Sequence, residues 1–110
     1  MPYIDPQKRT DLDGPIDELA DRIVAAAKAD QGDAAFAGYL NYACTRLALS
    51  VVRQLFGRMH YWIIAAVCGV FSNVADEFYR RVGGPYEDKK ILQAGDVDLY
   101  QLYLSEIEKE

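Results

Sequence analysis

The sequence has few cysteines and no arrangement of them that would build a metal site or a disulfide framework. Its two cysteines, Cys44 and Cys68, lie far apart, each inside an apolar stretch. There is no Cys-x-x-Cys pair and no cluster of metal-ligand residues, which argues against a zinc site or a redox motif. Free cysteine commonly packs as a small hydrophobic residue, so we expect two buried free thiols and no metal or other cofactor.

A long hydrophobic run is also missing. The longest strongly apolar stretch, residues 61–71, is well short of the roughly 20 residues that a membrane-spanning helix needs. Residues 1–6 lack a basic region followed by an apolar one, so no signal peptide is predicted. The expectation is a cytoplasmic protein that does not bind membranes.

Positive charge is scarce, with 12 lysines and arginines against 17 acids and a formal net charge of −5. General affinity for nucleic acids or anionic membranes rests on clustered Lys and Arg, so the composition argues against both partners. The 110 residues are 51% apolar and 26% charged, which is typical of one folded domain. Stability margins are small at this size, so self-association into a homo-oligomer is a natural supplement.

The first part of the chain predicts an extended arm followed by a helix. Residues 1–14 contain two prolines before Pro15 and no apolar periodicity, and we predict an extended arm there. Apolar residues then recur with a helical period over 15–29, and Pro15 is tolerated in a first turn. Residues 31–33 predict the break, with Asp33 as the N-cap of the next helix.

Two long helices are predicted in the middle of the chain, over about 34–56 and 59–82. Gly57 is a typical C-terminal stop for the first of them, and the glycines and proline at 83–85 predict the end of the second. The connection between these helices is short, so an antiparallel hairpin is expected at the centre of a small bundle.

The rest of the chain predicts shorter helices. Residues 85–91 favour a short helix that Gly95 ends, and Asp96 or Asp98 is expected to cap a last helix. No strand or internal repeat is evident. The prediction is therefore an all-α helical bundle, with a single helical domain over 15–110.

The distribution of acids is the most informative feature. Residues 34–75 contain no Asp or Glu, yet they contain Arg46, Arg53 and Arg58. Arg46 and Arg53 are seven residues apart, which places them on one face of a helix. Because the segment is apolar, we expect these arginines to be largely buried and to need partners, since an unpaired buried charge is costly.

Two interpretations of the arginines stay open. Acids from neighbouring helices could pair with them, the candidates being Asp17, Asp21, Asp76 and Glu77. Alternatively they form an anion site lined by tyrosines, because guanidinium groups bind phosphate in a fork and stack on aromatic rings. The residues assigned to that site are Asn41, Tyr42, Arg46 and Arg53.

A second basic cluster surrounds residues 83–85. Its candidate anion-binding residues are Arg80, Arg81, Tyr86, Lys89 and Lys90. They would flank a glycine turn as a loop-borne clamp. The alternative is a solvated helix face, on which each acid pairs with an arginine four residues later.

Catalytic patterns are weak. Small all-α nucleotide pyrophosphohydrolases of the MazG type need paired E-x-x-E and E-x-x-D motifs that gather Mg²⁺. Here Glu18 and Asp21 match only the E-x-x-D motif, one of the two that the metal site needs. The only histidine, His60, has no Ser or Cys nucleophile at a spacing typical of a catalytic pair. We therefore predict a protein without enzymatic activity and keep the pyrophosphohydrolase as a third alternative.

Several short strings resemble a family of short uncharacterised proteins found in phages, prophages and bacteria. The strings are the opening MPYI, GYLNY at 38–42, EFYRR at 77–81, PYEDKKI at 85–91 and GDV at 95–97. The resemblance covers most of the chain, and it implies a phage-linked context, in which case the protein would act in the host cytoplasm. The family pattern has an acid where this chain has Tyr39. This difference adds to the local absence of acids around the arginines.

The residues and the resemblance together predict a binding protein. The favoured function is binding of a small anionic, nucleotide-like ligand, as in the phage proteins that form oligomers and sequester the nucleotide signals of bacterial immunity. The alternative is a protein-binding or assembly module that docks through the apolar helix at 59–82.

Overall fold

The structure is a computed structural model that describes residues 2–110. It contains five α-helices and one π-helix, and no strand in that range, which confirms the predicted all-α class. The helices are α1 (Pro6–Ala29), α2 (Ala35–Phe56), α3 (Tyr61–Phe78), a π-helix (Tyr79–Gly83), α4 (Gly84–Ala94) and α5 (Asp98–Lys109).

Helix α1 begins at Pro6 and runs through Pro15 to Ala29. The prediction of an extended arm over 1–14 is therefore wrong from Pro6 onward. Pro6 occupies the first helical turn, where its missing N–H leaves no hydrogen bond unmade. Gln7, Lys8, Arg9 and Leu12 are good helix formers, and Leu12 continues the apolar stripe of the helix toward its N-terminus. Pro15 is tolerated inside the helix.

Helix α2 confirms the predicted span except at its first residue. Its N-cap is Ala34, which makes no side-chain cap bond, so the assignment of Asp33 as N-cap is wrong. At the other end Gly57 adopts the left-handed conformation, with φ 72°, and its N–H donates to the carbonyl of Arg53. The predicted stop at Gly57 is confirmed.

Gly57 gives a direct test of this helix end. We expect Gly57→Ala to lower the free energy of unfolding by about 1 kcal/mol, because a Cβ is disfavoured at positive φ. Gly38 lies inside α2 with open space around it. Gly38→Ala is therefore expected to raise stability by about 0.5–1 kcal/mol. Thermal melts of both variants should shift in opposite directions; equal shifts would contradict the assigned conformations.

The predicted stop at 83–85 is wrong, because the chain continues from α3 through the π-helix into α4 without a turn. Gly83 and Gly84 are right-handed, with φ −67° and −57°. Pro85 lies in the first turn of α4, where proline is compatible with a helix. A Cβ on Gly83 would come within 2.6 Å of the Tyr79 ring, so glycine is needed there for close approach rather than for a turn.

Helix α4 ends at Ala94, and Gly95 follows with φ 88°, which confirms Gly95 as the break. The N-cap of α5 is Val97, which makes no side-chain cap bond, so neither Asp96 nor Asp98 caps the helix as predicted. The Asp96 carboxylate instead accepts from the Val97 N–H at 2.7 Å and from the Gln101 amide. These bonds hold the start of α5 by another route.

The contacts between residues divide the chain into two units, Met1–Val70 and Phe71–Glu110. Within the first unit α2 packs against α1, and within the second the π-helix packs against α4. The unit boundary falls inside α3, so the central hairpin predicted from 34–56 and 59–82 and the single domain over 15–110 both stay predictions.

Little apolar surface is buried in the single chain. Among the described residues only Val52 and Ile63 are buried, at 8% and 1% exposure. Most large apolar side chains therefore remain in contact with water unless another molecule covers them.

Candidate anion-binding site on helix α2

A shallow depression of about 400 Å³ runs along α2 and contains the two predicted arginines. The helical period places side chains four, seven and eleven residues apart on one face, which brings Tyr42, Arg46 and Arg53 together. The residues that line the depression are Tyr42, Thr45, Arg46, Leu49, Ser50, Arg53 and Gln54. The predicted arginine–tyrosine face is thus present as a continuous surface.

A second depression, of about 370 Å³, lies beside the first at the contact between α1 and α2. It is mainly apolar: Leu19 and Ile23 of α1 face Leu47 of α2 there. Arg46 and Tyr42 line both depressions. The guanidinium of Arg46 therefore lies at the edge between a polar surface and an apolar one.

The arginines of this face are exposed, which corrects the expectation that they are buried. Arg46 makes no ion pair or hydrogen bond with any residue of 2–110. Arg53 is also exposed, and its Nη1 donates to the Gly57 carbonyl at 2.7 Å. That bond satisfies an end carbonyl of α2 and leaves the rest of the guanidinium available.

The predicted partners on α1, Asp17 and Asp21, make no ion pair with these arginines. Ion pairs in the described part of the chain join Arg22 to Glu18 and Arg80 to Glu77. The acids of α1 therefore do not neutralise Arg46, and pairing with Asp76 or Glu77 stays a prediction. Water screens the exposed charge, so the fold does not need an acid there.

Asn41 is not part of this depression. Its side chain is exposed, and its backbone carbonyl accepts a hydrogen bond from Thr45 Oγ1 at 2.7 Å. Thr45, Ser50 and Gln54 line the depression but were not assigned to it from the sequence. Their spacing from Arg46 on α2 could have identified them, since each is within about two turns of it.

Tyr39 lies one turn before Tyr42 and is already engaged. Its hydroxyl donates to the Asp30 carboxylate just after the end of α1. This hydrogen bond and the nearby negative charge raise the pKa of Tyr39 above its ordinary value of 10.0. The contact ties the start of α2 to the end of α1.

The Tyr39–Asp30 contact predicts a pH dependence. Because the folded pKa is raised, the bond contributes its stability fully below pH 10, and that stability is lost as pH rises through the folded pKa. In an ultraviolet absorbance titration, the curve of the original chain minus that of Tyr39→Phe gives the titration of Tyr39, and we expect its midpoint above pH 10.0. A midpoint at or below pH 10.0 would show that Tyr39 is not held by Asp30.

The second predicted cluster is partly neutralised. Arg80 pairs with Glu77, three residues earlier, with Nη2–Oε1 at 2.5 Å, in place of the predicted pairs four residues apart. The Lys90 ammonium lies 5.5 Å from the centre of the Tyr86 ring. The predicted loop-borne clamp, which also included Arg81 and Lys89, has no loop, because its arginines are on the π-helix and its lysines on α4.

The cysteines and acids give no metal centre. Both cysteines are free, as predicted, but Cys68 is exposed and Cys44 is half-buried, so the expectation of two buried thiols is wrong. In residues 2–110 no three His, Cys, Asp or Glu side chains form a group that could hold a metal ion. The geometry thus offers no support for the Mg²⁺ site of a MazG-type enzyme.

Comparison with protein families identifies the domain. The model of one family, described as "Domain of unknown function (DUF6899)", matches residues 1–97. The chain belongs to this family. Helix α5 begins at Asp98, just beyond the matched residues.

The family match confirms that the chain belongs to an uncharacterised family, as the resemblance implied. No curated protein and no solved structure matches the chain. In the part of the chain that the structure describes, no helix is long and apolar enough to cross a membrane.

Proposed function

We propose that the protein binds a small anionic, nucleotide-like ligand on the α2 face, without catalysing a reaction. The observation that carries this proposal is the exposure of Arg46 and Arg53 beside Tyr42 on an acid-free helix. A guanidinium without a carboxylate partner keeps its five N–H donors available for phosphate oxygens.

The chemistry of the depression suits a phosphate joined to a ring. Arg46 and Arg53 would hold the phosphate, and the Tyr42 ring offers a face on which a base or sugar can stack. Ser50 and Gln54 add hydrogen-bonding groups at the same edge, although Gln54 Nε2 donates to Ser50 Oγ at 2.9 Å in the free chain. Leu49 supplies apolar contact area.

The context that we propose is a phage protein that sequesters a nucleotide signal of bacterial immunity in the host cytoplasm. A sequestering protein needs affinity for the nucleotide and no catalytic group. Arg80, Arg81, Tyr86, Lys89 and Lys90 stay a proposed second anion site. In this second site Arg81 and Lys89 are the main cations available to an anion, since Arg80 is paired with Glu77 and Lys90 lies over the Tyr86 ring.

Thermal shift with a panel of cyclic and ADP-ribose-like nucleotides tests the proposal. A ligand that binds only the folded state at 100 times its Kd adds about 2.7 kcal/mol to stability, so the Tm should rise by several degrees. Arg46→Ala should abolish the rise while leaving the Tm of the free protein nearly unchanged, since Arg46 is exposed and unpaired.

Arg58→Ala is the matched control, because it removes the same charge from the acid-free segment but lies outside the depression. It should retain the nucleotide response. If no nucleotide raises the Tm, or if both arginine variants behave alike, the α2 face is not the binding site.

A second candidate function is assembly through α3, which its exposed apolar stripe favours. Side chains at alternating spacings of four and three residues share one face of a helix, as in a coiled-coil seam. The seam of α3 consists of Ile64, Cys68, Phe71, Ala75 and Phe78, all of them exposed. A protein partner or further copies of the chain would cover it.

A further inference from the structure

Helix α5 has an apolar face with nothing packed on it inside its own unit. Leu99, Leu102, Tyr103 and Ile107 are between 51% and 67% exposed. The described residues show no packing of α5 along α4 or along the part of α3 in the same unit. Isolated helices of about 12 residues are marginal in water, so a helix of this length needs a surface to dock on.

The charges of α5 are opposite to those of the α2 face. Residues 98–110 contain four carboxylates and one lysine, whereas residues 34–75 contain three arginines and no acid. One face of α5 begins with Leu99 and Tyr103 and continues with Glu106, and Glu110 follows directly after the end of the helix. These residues are spaced by four, three and four positions. Glu106 and Glu110 make no ion pair in residues 2–110.

The α2 face has the complementary stripe, Tyr42, Arg46, Leu49 and Arg53, at that same spacing. Next to it lies the apolar depression that α1 and α2 form, where Leu19 and Leu47 remain accessible. An amphipathic helix laid on this surface would bury apolar side chains on both sides and bring carboxylates to the arginines. Helix α5 would supply the carboxylates of this contact, and the α2 face would supply the arginines.

We propose that α5 of one copy docks on the α1–α2 face of a second copy, with Glu106 and Glu110 against Arg46 and Arg53. The charges and apolar surfaces agree with this occupant. Residues 98–110 supply the acids and the exposed apolar side chains, and the face of a second copy supplies the arginines and the apolar depression.

This docking goes beyond the proposed function, because it uses the same arginines but needs no nucleotide. Where both occur, they compete: a phosphate on Arg46 displaces the carboxylate of Glu106. The acidic helix would then set the affinity of the α2 face for anions. Removing the acid should weaken self-association and strengthen ligand binding.

Sedimentation equilibrium of the full chain tests the docking through charge reversal. We expect Glu106→Lys to raise the self-association Kd at least tenfold, because it places a cation against Arg46. Glu108→Lys is the matched control, since it makes the same charge change on the opposite side of α5 and should leave the Kd within about twofold of the original.

Arg46→Glu should weaken self-association as Glu106→Lys does. Mixing these two variants, each weak alone, should restore association, because one of their mutual contacts then pairs reversed charges. Restoration also shows that both variants are folded. A monomeric original chain, equal Kd values for Glu106→Lys and Glu108→Lys, or no recovery on mixing would each overturn the docking.

The outcomes separate the docking from the proposed function. If the charge reversal behaves as expected and no nucleotide raises the Tm, the docking stands and the ligand proposal fails. If nucleotides raise the Tm but Glu106→Lys leaves the Kd unchanged, the docking fails and the ligand site stands.

Discussion

Ile63→Ala is expected to lower the free energy of unfolding by about 2–4 kcal/mol, since it removes buried methyl groups and leaves a cavity. Ile63 is 1% exposed and is the most deeply buried side chain of residues 2–110. Proteins of this size have few kcal/mol to lose, so the Tm should fall by roughly 10 °C or more. Urea unfolding followed by circular dichroism measures the change.

Ile64 provides the control, because it is the same residue type at the next position and is 47% exposed. Ile64→Ala removes the same atoms from a site that retains contact with water. We expect it to cost under 1 kcal/mol when the protein is dilute enough to be monomeric. Equal losses for the two variants would contradict the orientation of α3 described here.

Phe71→Glu is expected to abolish association through α3, whether with a protein partner or with further copies, without unfolding the chain. The docking of α5 on the α2 face does not involve Phe71 and should persist. Phe71 is 41% exposed at the centre of the α3 seam, so a carboxylate there is solvated in the free chain. Once the seam is covered, the same carboxylate would be buried without a partner, which is strongly unfavourable. Truncating a central aromatic anchor commonly costs at least about 2 kcal/mol, or roughly 30-fold in Kd, and a charge adds to that.

Ser72→Glu is the control for the seam. It introduces the same charge at the next position, about 100° around the helix from Phe71. Light scattering should show the original mass for Ser72→Glu and a lower mass for Phe71→Glu. If Phe71→Glu keeps the original assembly, α3 does not form the interface.

Local signals allowed much of the helical structure to be predicted. The span of α2 and its end at Gly57 follow from periodicity and from the positive φ that glycine tolerates. The rule that proline and glycine mark helix ends failed at the positions where these residues are compatible with a helix. Pro6 begins helix α1, and Pro15 lies inside the same helix. Gly83 lies within a continuous helical stretch, where the absence of a Cβ leaves room for the Tyr79 ring.

The candidate site was predictable only in part. Tyr42, Arg46 and Arg53 share a face because the helical period fixes their directions from the sequence alone. Their exposure was not predictable, since it depends on which helix packs against α2. The apolar segment predicted buried arginines, whereas α1 packs beside this face and leaves Arg46 exposed.

Native mass spectrometry of the freshly purified protein tests the ligand proposal most directly, because one spectrum gives the subunit count and the mass of any bound molecule. We predict that the chain carries a small phosphate-containing nucleotide-like molecule, which is released on denaturation and absent from Arg46→Ala but present in Arg58→Ala. Only bare chain masses, together with no uptake of any nucleotide added to the sample, would contradict the account.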